Sequence, residues 1–388
     1  MVSDAPVSFE FATAAQILFG PGRFAELGER AAAFGKRALL AANRSQVDRF
    51  RDALEGSGIT CTVIIVQGEP TVADAETAVE LAREAACELV VGAGGGSAID
   101  LAKAAAALLP NPGETLDYLE VVGRGKPLTE PSLPCIAVPT TAGTGSEVTR
   151  NAVLGVPEQR VKVSLRSATM LPRLALVDPD LTCSLPPAVT ASSGLDALTQ
   201  LIEPFVSRNA NPLTDALCRE GIPRAARSLR RAFENGNDRQ ARQDMSLAAL
   251  LGGLALANAK LGAVHGIAGP FGGMAEAPHG AVCARLLPFV VEANLNALER
   301  RDGSSVVRQR FDELARMLTG DPEADARQGI DWLRALITDL QIPPLGTYGM
   351  DPADLPVLIE KSMRSSSMRG NPVELSAEEL RTLIQRAW

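Results

Sequence analysis

Leu89-Val90-Val91-Gly92-Ala93-Gly94-Gly95-Gly96-Ser97, running on into Ala98-Ile99-Asp100-Leu101-Ala102-Lys103, is the stretch that decides how this chain reads. A short β-branched run, Leu89 to Val91, ends in a glycine cluster, and Ala98 to Leu109 reads as a helix. Three successive glycines let backbone lie close against a phosphate. The helix start beyond them offers free N–H groups and the positive end of its dipole. A tight turn also uses glycines, and the spacing is not the G-x-G-x-x-G of the ordinary dinucleotide fingerprint. The position between a strand and a helix is what favours the phosphate reading.

Outward from this turn, Arg37–Ala42, Thr62–Val66, Pro134–Val138 and Leu174–Val177 have the length and composition of buried strands. Ala73–Glu88 places Ala75, Val79, Ala82 and Ala86 at helical spacing. Strands alternating with helices predict a parallel sheet covered on both faces. From about Pro186 long amphipathic segments take over: 187–205, 212–235, 239–262, 280–296, 304–317, 323–340, 352–365 and 377–388. The expected organisation is an α/β dinucleotide-binding domain with a Rossmann-like parallel sheet over 1–185 and an all-helical metal and substrate domain over 186–388. The chemistry is expected in the cleft between them.

The 388 residues allow two domains at ~150 residues each, and 46% hydrophobic content is enough for a real core. A net charge of −8 argues against a nucleic-acid or polybasic membrane surface, and 11 Phe, 2 Tyr and 2 Trp are too few for a base-stacking face. Met1 to Phe11 shows no basic region followed by an apolar run, so no signal peptide is expected. The longest uncharged apolar stretch, Leu247–Ala257, is 11 residues, short of the ~18–20 that span a bilayer. Cys61, Cys87, Cys135, Cys183, Cys218 and Cys283 are scattered singly, as expected of reduced core thiols in a cytoplasmic protein rather than of disulfides or a thiolate zinc site.

Two further constellations carry chemistry. The loop Pro139-Thr140-Thr141-Ala142-Gly143-Thr144-Gly145-Ser146-Glu147 follows a strand and is dense in hydroxyls, suited to phosphate oxygens or a nicotinamide. Two such loops in one half favour a dinucleotide. In the helical half, Asp196 and Gln200 share a helix face in Gly194-Leu195-Asp196-Ala197-Leu198-Thr199-Gln200. The chain's two histidines, His265 and His279, each precede a glycine. One Asp and two His are suitable ligands for Zn²⁺ or Fe²⁺.

These pieces resemble the iron-containing (group III) alcohol dehydrogenase family. The resemblance rests on GGGSAIDLAK, PTTAGTGSEVT, the Ala175–Leu181 run, GLDALTQLIE, VHGIAGPFGG, APHG and Asn371-Pro372-Val373, in the family's order. It implies the iron-type alcohol dehydrogenase, or dehydroquinate synthase-like, architecture and an NAD(P)-dependent enzyme with a metal in the cleft. Carried over by motif, Gly95, Gly96 and Ser97 cradle the pyrophosphate, and Thr140, Thr141 and Thr144 line the cofactor. Asp100, Lys162 and Leu181 are further cofactor positions, and Asn151 lies near nicotinamide and substrate. Asp196, His265 and His279 match metal ligands, with His265 and His279 at the catalytic centre. The metal polarises the substrate oxygen as a Lewis acid while hydride passes to the nicotinamide. A homodimer or higher homo-oligomer acting on a small alcohol or aldehyde is the implied assembly.

Three departures matter. Gln200 stands where the family usually has a fourth ligand, a histidine, and so is expected as a weak or water-bridged partner of the metal. Gly269 stands where a second histidine often proposed as a proton relay would be. Asn43 replaces an Asp that binds the adenosine ribose, and with Arg44 beside it NADP becomes admissible alongside NAD. Three readings therefore stay open: a metal-assisted alcohol dehydrogenase, a metal-independent reductase of maleylacetate reductase type, and a non-catalytic nucleotide-binding protein. Retention of Asp196 favours the first, because a buried carboxylate facing imidazoles needs compensation.

Overall fold

A computed structural model of the chain describes residues 8–302 and 305–388. Residues 1–7 of the stretch judged for a signal peptide, and Ser304 of the helix expected at 304–317, lie outside them. The strands are β1 Ile17–Phe19, β2 Arg37–Asn43, β3 Thr60–Val66, β4 Leu89–Gly94, β5 Cys135–Pro139, β6 Asn151–Val156, β7 Val161–Arg166 and β8 Leu174–Val177. Six form a sheet in the order β1-β8-β5-β4-β2-β3, with every pair parallel. Alternate residues feed opposite cores: Leu39, Ala41 and Val90 bury on one face, Leu40, Ala42 and Val91 on the other. That two-sided burial is why these strands read as continuous apolar runs.

From β2 the chain steps to β3 at the sheet edge, then returns to place β4 on the other side of β2. The carboxyl ends of β2 and β4 thus flank a topological switch point, where open α/β sheets bind ligands. Asn43 ends β2 and Gly94 ends β4 there.

The α/β half also contains α1 Leu27–Ala32, α2 Val47–Glu55, α3 Val72–Glu84, α4 Gly96–Leu108 and α5 Thr115–Tyr118. The β6–β7 antiparallel hairpin is additional to the expected elements. Its period-2 pattern was present, since Ala152, Leu154, Val163 and Leu165 are buried on one face. Glycine at 155 and the polar turn Glu158-Gln159 interrupt the apolar alternation.

The second half is helical: α6 Pro187–Val206, α7 Pro212–Glu234, α8 Arg239–Ala259, α9 Ala263–Met274, α10 His279–Asp302, α11 Val306–Thr319, α12 Ala326–Asp339, α13 Leu355–Arg364 and α14 Ala377–Ala387. From Gly194 to Val206 every residue of α6 is buried, so its polar side chains sit inside the bundle rather than on a solvated face. Between α8 and α9 the chain bends by 97°, with Lys260 at φ 62°, which turns His265 back toward α6. Among the described residues one helix, His279–Arg301, is apolar and long enough to cross a membrane by composition, but 78% of its apolar window is buried in the fold, as in a core helix. The two halves meet through Val148, Ala175 and Val177 packed with Leu250 and Leu254.

Candidate active site

The two loops read from sequence lie side by side because β4 and β5 are adjacent. Thr140 N donates to Gly94 O at 2.8 Å. A Cβ on Gly96 would stand 2.7 Å from the Thr144 side chain, and one on Gly95 would touch Thr141. Gly95 gives α4 no side-chain cap, so the N–H groups at the helix start face the loop crevice. Asn43 closes the same crevice: its Nδ2 donates to Val66 O at 3.3 Å, and its Oδ1 lies 2.3 Å from where a Gly94 Cβ would be. Asn43, Gly95, Gly96, Ser97, Thr140, Thr141 and Thr144 therefore form one cluster at the switch point.

Asp100, Lys162 and Leu181 are placed differently from free cofactor contacts. Asp100 Oδ1 accepts from Ser146 Oγ and pairs with Lys103 Nζ at 3.1 Å, and its Oδ2 accepts from Val153 N at 2.9 Å. Both oxygens thus tie α4 to the hydroxyl loop and to β6. Lys103, fully buried, also donates to Ser146 O, Ser146 Oγ and Thr149 Oγ1 at 2.8–2.9 Å. Lys162 pairs with Glu69 and lies against Gly272 of α9. Leu181 is buried with Val138 and Leu176 in the core under the sheet. Asn151 opens the hairpin whose other strand packs on α9, the helix of His265.

Glu147 is a buried carboxyl inside the hydroxyl loop. Burial pushes its pKa up to about 7 from 4.5, against the opposing pull of its own backbone N–H and of Lys103. The folded state therefore holds the proton more tightly than the unfolded chain. This contribution is fully present below pH 4.5 and is lost as pH rises toward 7. Between pH 5 and pH 8, denaturant midpoints should show the wild type losing about 2–3 kcal/mol relative to Glu147→Gln.

In the helical half four side chains converge. One ligand atom each from Asp196, His265, His279 and Cys283 lies within 4.8 Å of the others. Asp196 is 2% exposed and His265 7%. Gly280 makes this convergence possible: a Cβ there would stand 2.6 Å from Ser192 O and 3.4 Å from Asp196 Cβ, so only glycine lets α10 approach α6 so closely. The hydroxyl loop seats on the same helix, with Gly143 against Ser193, three residues before Asp196.

Asp196 Oδ1 and His265 Nε2 are 3.3 Å apart, yet both are buried without an aligned hydrogen bond. Orphaned polar atoms of this kind are costly unless something binds them. With His279 and Cys283 beside them, the donor set fits a divalent cation. His265 Nδ1 bonds Glu203 Oε2 at 2.7 Å, leaving Nε2 for that centre, and Glu203 Oε1 accepts from Val264 N at 2.6 Å. Burial opposes charge on both imidazoles. The Cys283 sulfur and the carboxylate of Asp196 outweigh it, raising His265 well above its usual value and His279 to about 8. The same imidazoles hold Asp196 low despite its burial. Positive charge is thus what the cluster attracts.

Gln200 does not simply join this set. Its Nε2 donates to Asp196 Oδ2 at 2.9 Å, while its Oε1 is buried without a partner. Gln200 therefore holds the carboxylate so that Oδ1 faces the histidines. Cys283, read with the other cysteines as a core thiol, is buried as expected and also lies in this cluster, whereas Cys61 and Cys183 are only partly buried. Two residues escaped the sequence reading, Glu203 and Cys283. Glu203 follows Asp196 by seven and Cys283 follows His279 by four, so helical spacing marked each as sharing a ligand's face. Replacing Glu203 by Gln should cost ~10–100-fold in metal affinity, measured by competition with a chelator, while circular dichroism stays unchanged.

Residues 14–179 match the family described as iron-containing alcohol dehydrogenase, and residues 190–388 match the C-terminal domain of the Fe-containing alcohol dehydrogenase family. The chain belongs to the iron-containing alcohol dehydrogenase family. It is 37% identical over 342 residues to alcohol dehydrogenase 4 of Saccharomyces cerevisiae strain YJM789, covering 88% of this chain and 86% of that one. It is 34% identical over 385 residues to 1,3-propanediol dehydrogenase of Klebsiella pneumoniae, covering 95% and 96%. Among solved structures, a 1,3-propanediol oxidoreductase superposes with TM-score 0.91 at 32% identity, covering 98% of this chain and all of the other. A sulfoacetaldehyde reductase from Bifidobacterium kashiwanohense, solved with NAD⁺, gives TM-score 0.86 at 30% identity, covering 98% and 99%. This member of the iron-containing alcohol dehydrogenases is accordingly an oxidoreductase that interconverts alcohols and their carbonyl compounds.

Proposed function

We propose that the chain reduces small aldehydes or ketones, and oxidises the matching alcohols, with NADH or NADPH bound over 1–185 and a divalent ion, Zn²⁺ or Fe²⁺, held in the helical half over 186–388. The observation that carries this reading is the meeting of Asp196, His265, His279 and Cys283 within 4.8 Å, with the hydroxyl loop seated against α6, the helix of Asp196. When bound, the ion supplies Lewis acidity toward the substrate oxygen and the dinucleotide supplies or accepts hydride.

The chain's own residues do the rest. The glycine turn and the threonines Thr140, Thr141 and Thr144 hold the dinucleotide at the switch point. Asp196, oriented by Gln200, and His265, oriented by Glu203, present the ligand atoms. One turn beyond His265 on the same face, Gly269 has no atom within 4 Å of its Cβ position, and Met368 packs beside Gly266. That open space suits a small substrate and a water to carry the proton that the family's histidine would carry. Asn43 in place of a carboxylate removes repulsion of a 2′-phosphate, which supports use of NADPH. The six cysteines are free thiols, in keeping with a reducing, cytoplasmic setting, and a homo-oligomer is the assembly this reading expects.

Protein purified without chelator should contain a divalent ion and oxidise NADH or NADPH with small aldehydes. Exhaustive chelation should abolish turnover, and Zn²⁺ or Fe²⁺ should restore it. Turnover that survives chelation overturns the metal reading, and absence of both turnover and dinucleotide binding overturns the enzyme reading.

A further inference from the structure

We infer that Cys283 is the fourth protein ligand of the metal centre, a sulfur donor standing in for the side chain that Gln200 does not supply, so that the site is an Asp-His-His-Cys centre suited to Zn²⁺ over Fe²⁺. The inference rests on the metal-assisted reading above and concerns which atoms complete that site.

Cys283 lies one turn after His279 in α10, on the same face, and is fully buried. Its Sγ is 3.5 Å from His279 Nε2, and Asp196 Oδ1 is 3.3 Å from His265 Nε2. Zinc bonds of about 2.3 Å to sulfur and about 2.0–2.2 Å to nitrogen and oxygen put tetrahedral donors about 3.3–3.7 Å apart. The observed spacings match both edges. The sulfur does not stand alone: the buried, partnerless Asp196 Oδ1 and His265 Nε2 are aimed into the same space.

The amide of Gln200 is the competing fourth donor. Its nitrogen is committed to Asp196 Oδ2, which makes it a positioning group, and only its neutral Oε1, buried without a partner, is left to compete with the Cys283 sulfur. A thiolate is a better ligand than a neutral amide for a borderline or soft ion, and it selects zinc where carboxylate and imidazole alone leave the choice open. Charge points the same way. Asp196 and a Cys283 thiolate together balance a divalent ion, as one carboxylate with neutral donors does not.

Cobalt(II) reports the ligands directly, because sulfur coordination produces an intense near-ultraviolet charge-transfer band that oxygen and imidazole donors do not. The full chain, stripped and reloaded with one equivalent of Co²⁺, should show the band. Cys283→Ser should lose it and release metal to a chelator at least ~10-fold more readily. Cys61→Ser and Cys183→Ser, at the two cysteines that are not buried, should leave it unchanged. Gln200→His combined with Cys283→Ser should hold cobalt again without the band, which separates lost ligation from lost folding. Bound cobalt without the band, or a band that persists in Cys283→Ser, overturns the assignment while leaving the metal reading intact. No cobalt binding by the wild type overturns both.

Discussion

Asp196→Ala should fold, bind dinucleotide, and lose both its metal and on the order of a thousandfold in kcat/KM. The reason lies in which side of α6 does what. Leu195, Leu198 and Leu201 are fully buried in the helical core and carry the packing, whereas Asp196 faces the histidines. Removing its carboxylate takes away an anionic donor, leaves Gln200 Nε2 without its acceptor, and leaves two imidazoles 5.4 Å apart with less negative charge between them. The loss of several kcal/mol of charge stabilisation at the substrate oxygen is what the rate should report. Elemental analysis, dinucleotide fluorescence titration and steady-state kinetics check the three parts separately. Stoichiometric metal in the variant would remove Asp196 from the ligand set.

Lys103→Met should cost about 3–5 kcal/mol of stability, the range for breaking a buried ion pair by removing one partner. The ammonium is fully buried and serves Asp100, Ser146 and Thr149, so methionine fills the volume but strands an anion and several acceptors. Those partners anchor the hydroxyl loop, so the dinucleotide should also bind more weakly. Denaturant midpoints and the KM for NADH or NADPH test the two effects. A midpoint within error of the wild type would show that the network does not hold the loop.

The strands β2 to β5 and β8 were readable because burial on both faces leaves a short apolar run whatever the neighbours are. The hairpin β6–β7 was not, because its outer face is only partly buried and carries polar residues and a glycine, which breaks the apolar run. Asp196, His265 and His279 were readable through residue type, since histidine occurs nowhere else in the chain. Asp100 shows the opposite case. Its place in the motif suggested a ligand contact, but Ser146, Lys103 and Val153, all distant from it in sequence except Lys103, take up its oxygens.

Local composition sufficed for the α/β layer, the glycine-rich and hydroxyl-rich loops, and the residue types that converge in the helical half, because propensity, glycine placement and side-chain chemistry act over a few neighbours. The fourth donor, the orienting roles of Gln200 and Glu203, and the open space at Gly269 arise from how α6, α9 and α10 cross. A 97° bend after α8 and a glycine at 280 set those crossings. Helical periodicity states which residues share a face, but not which other helix that face meets. For this reason Cys283 was one thiol among six until α10 was packed against α6.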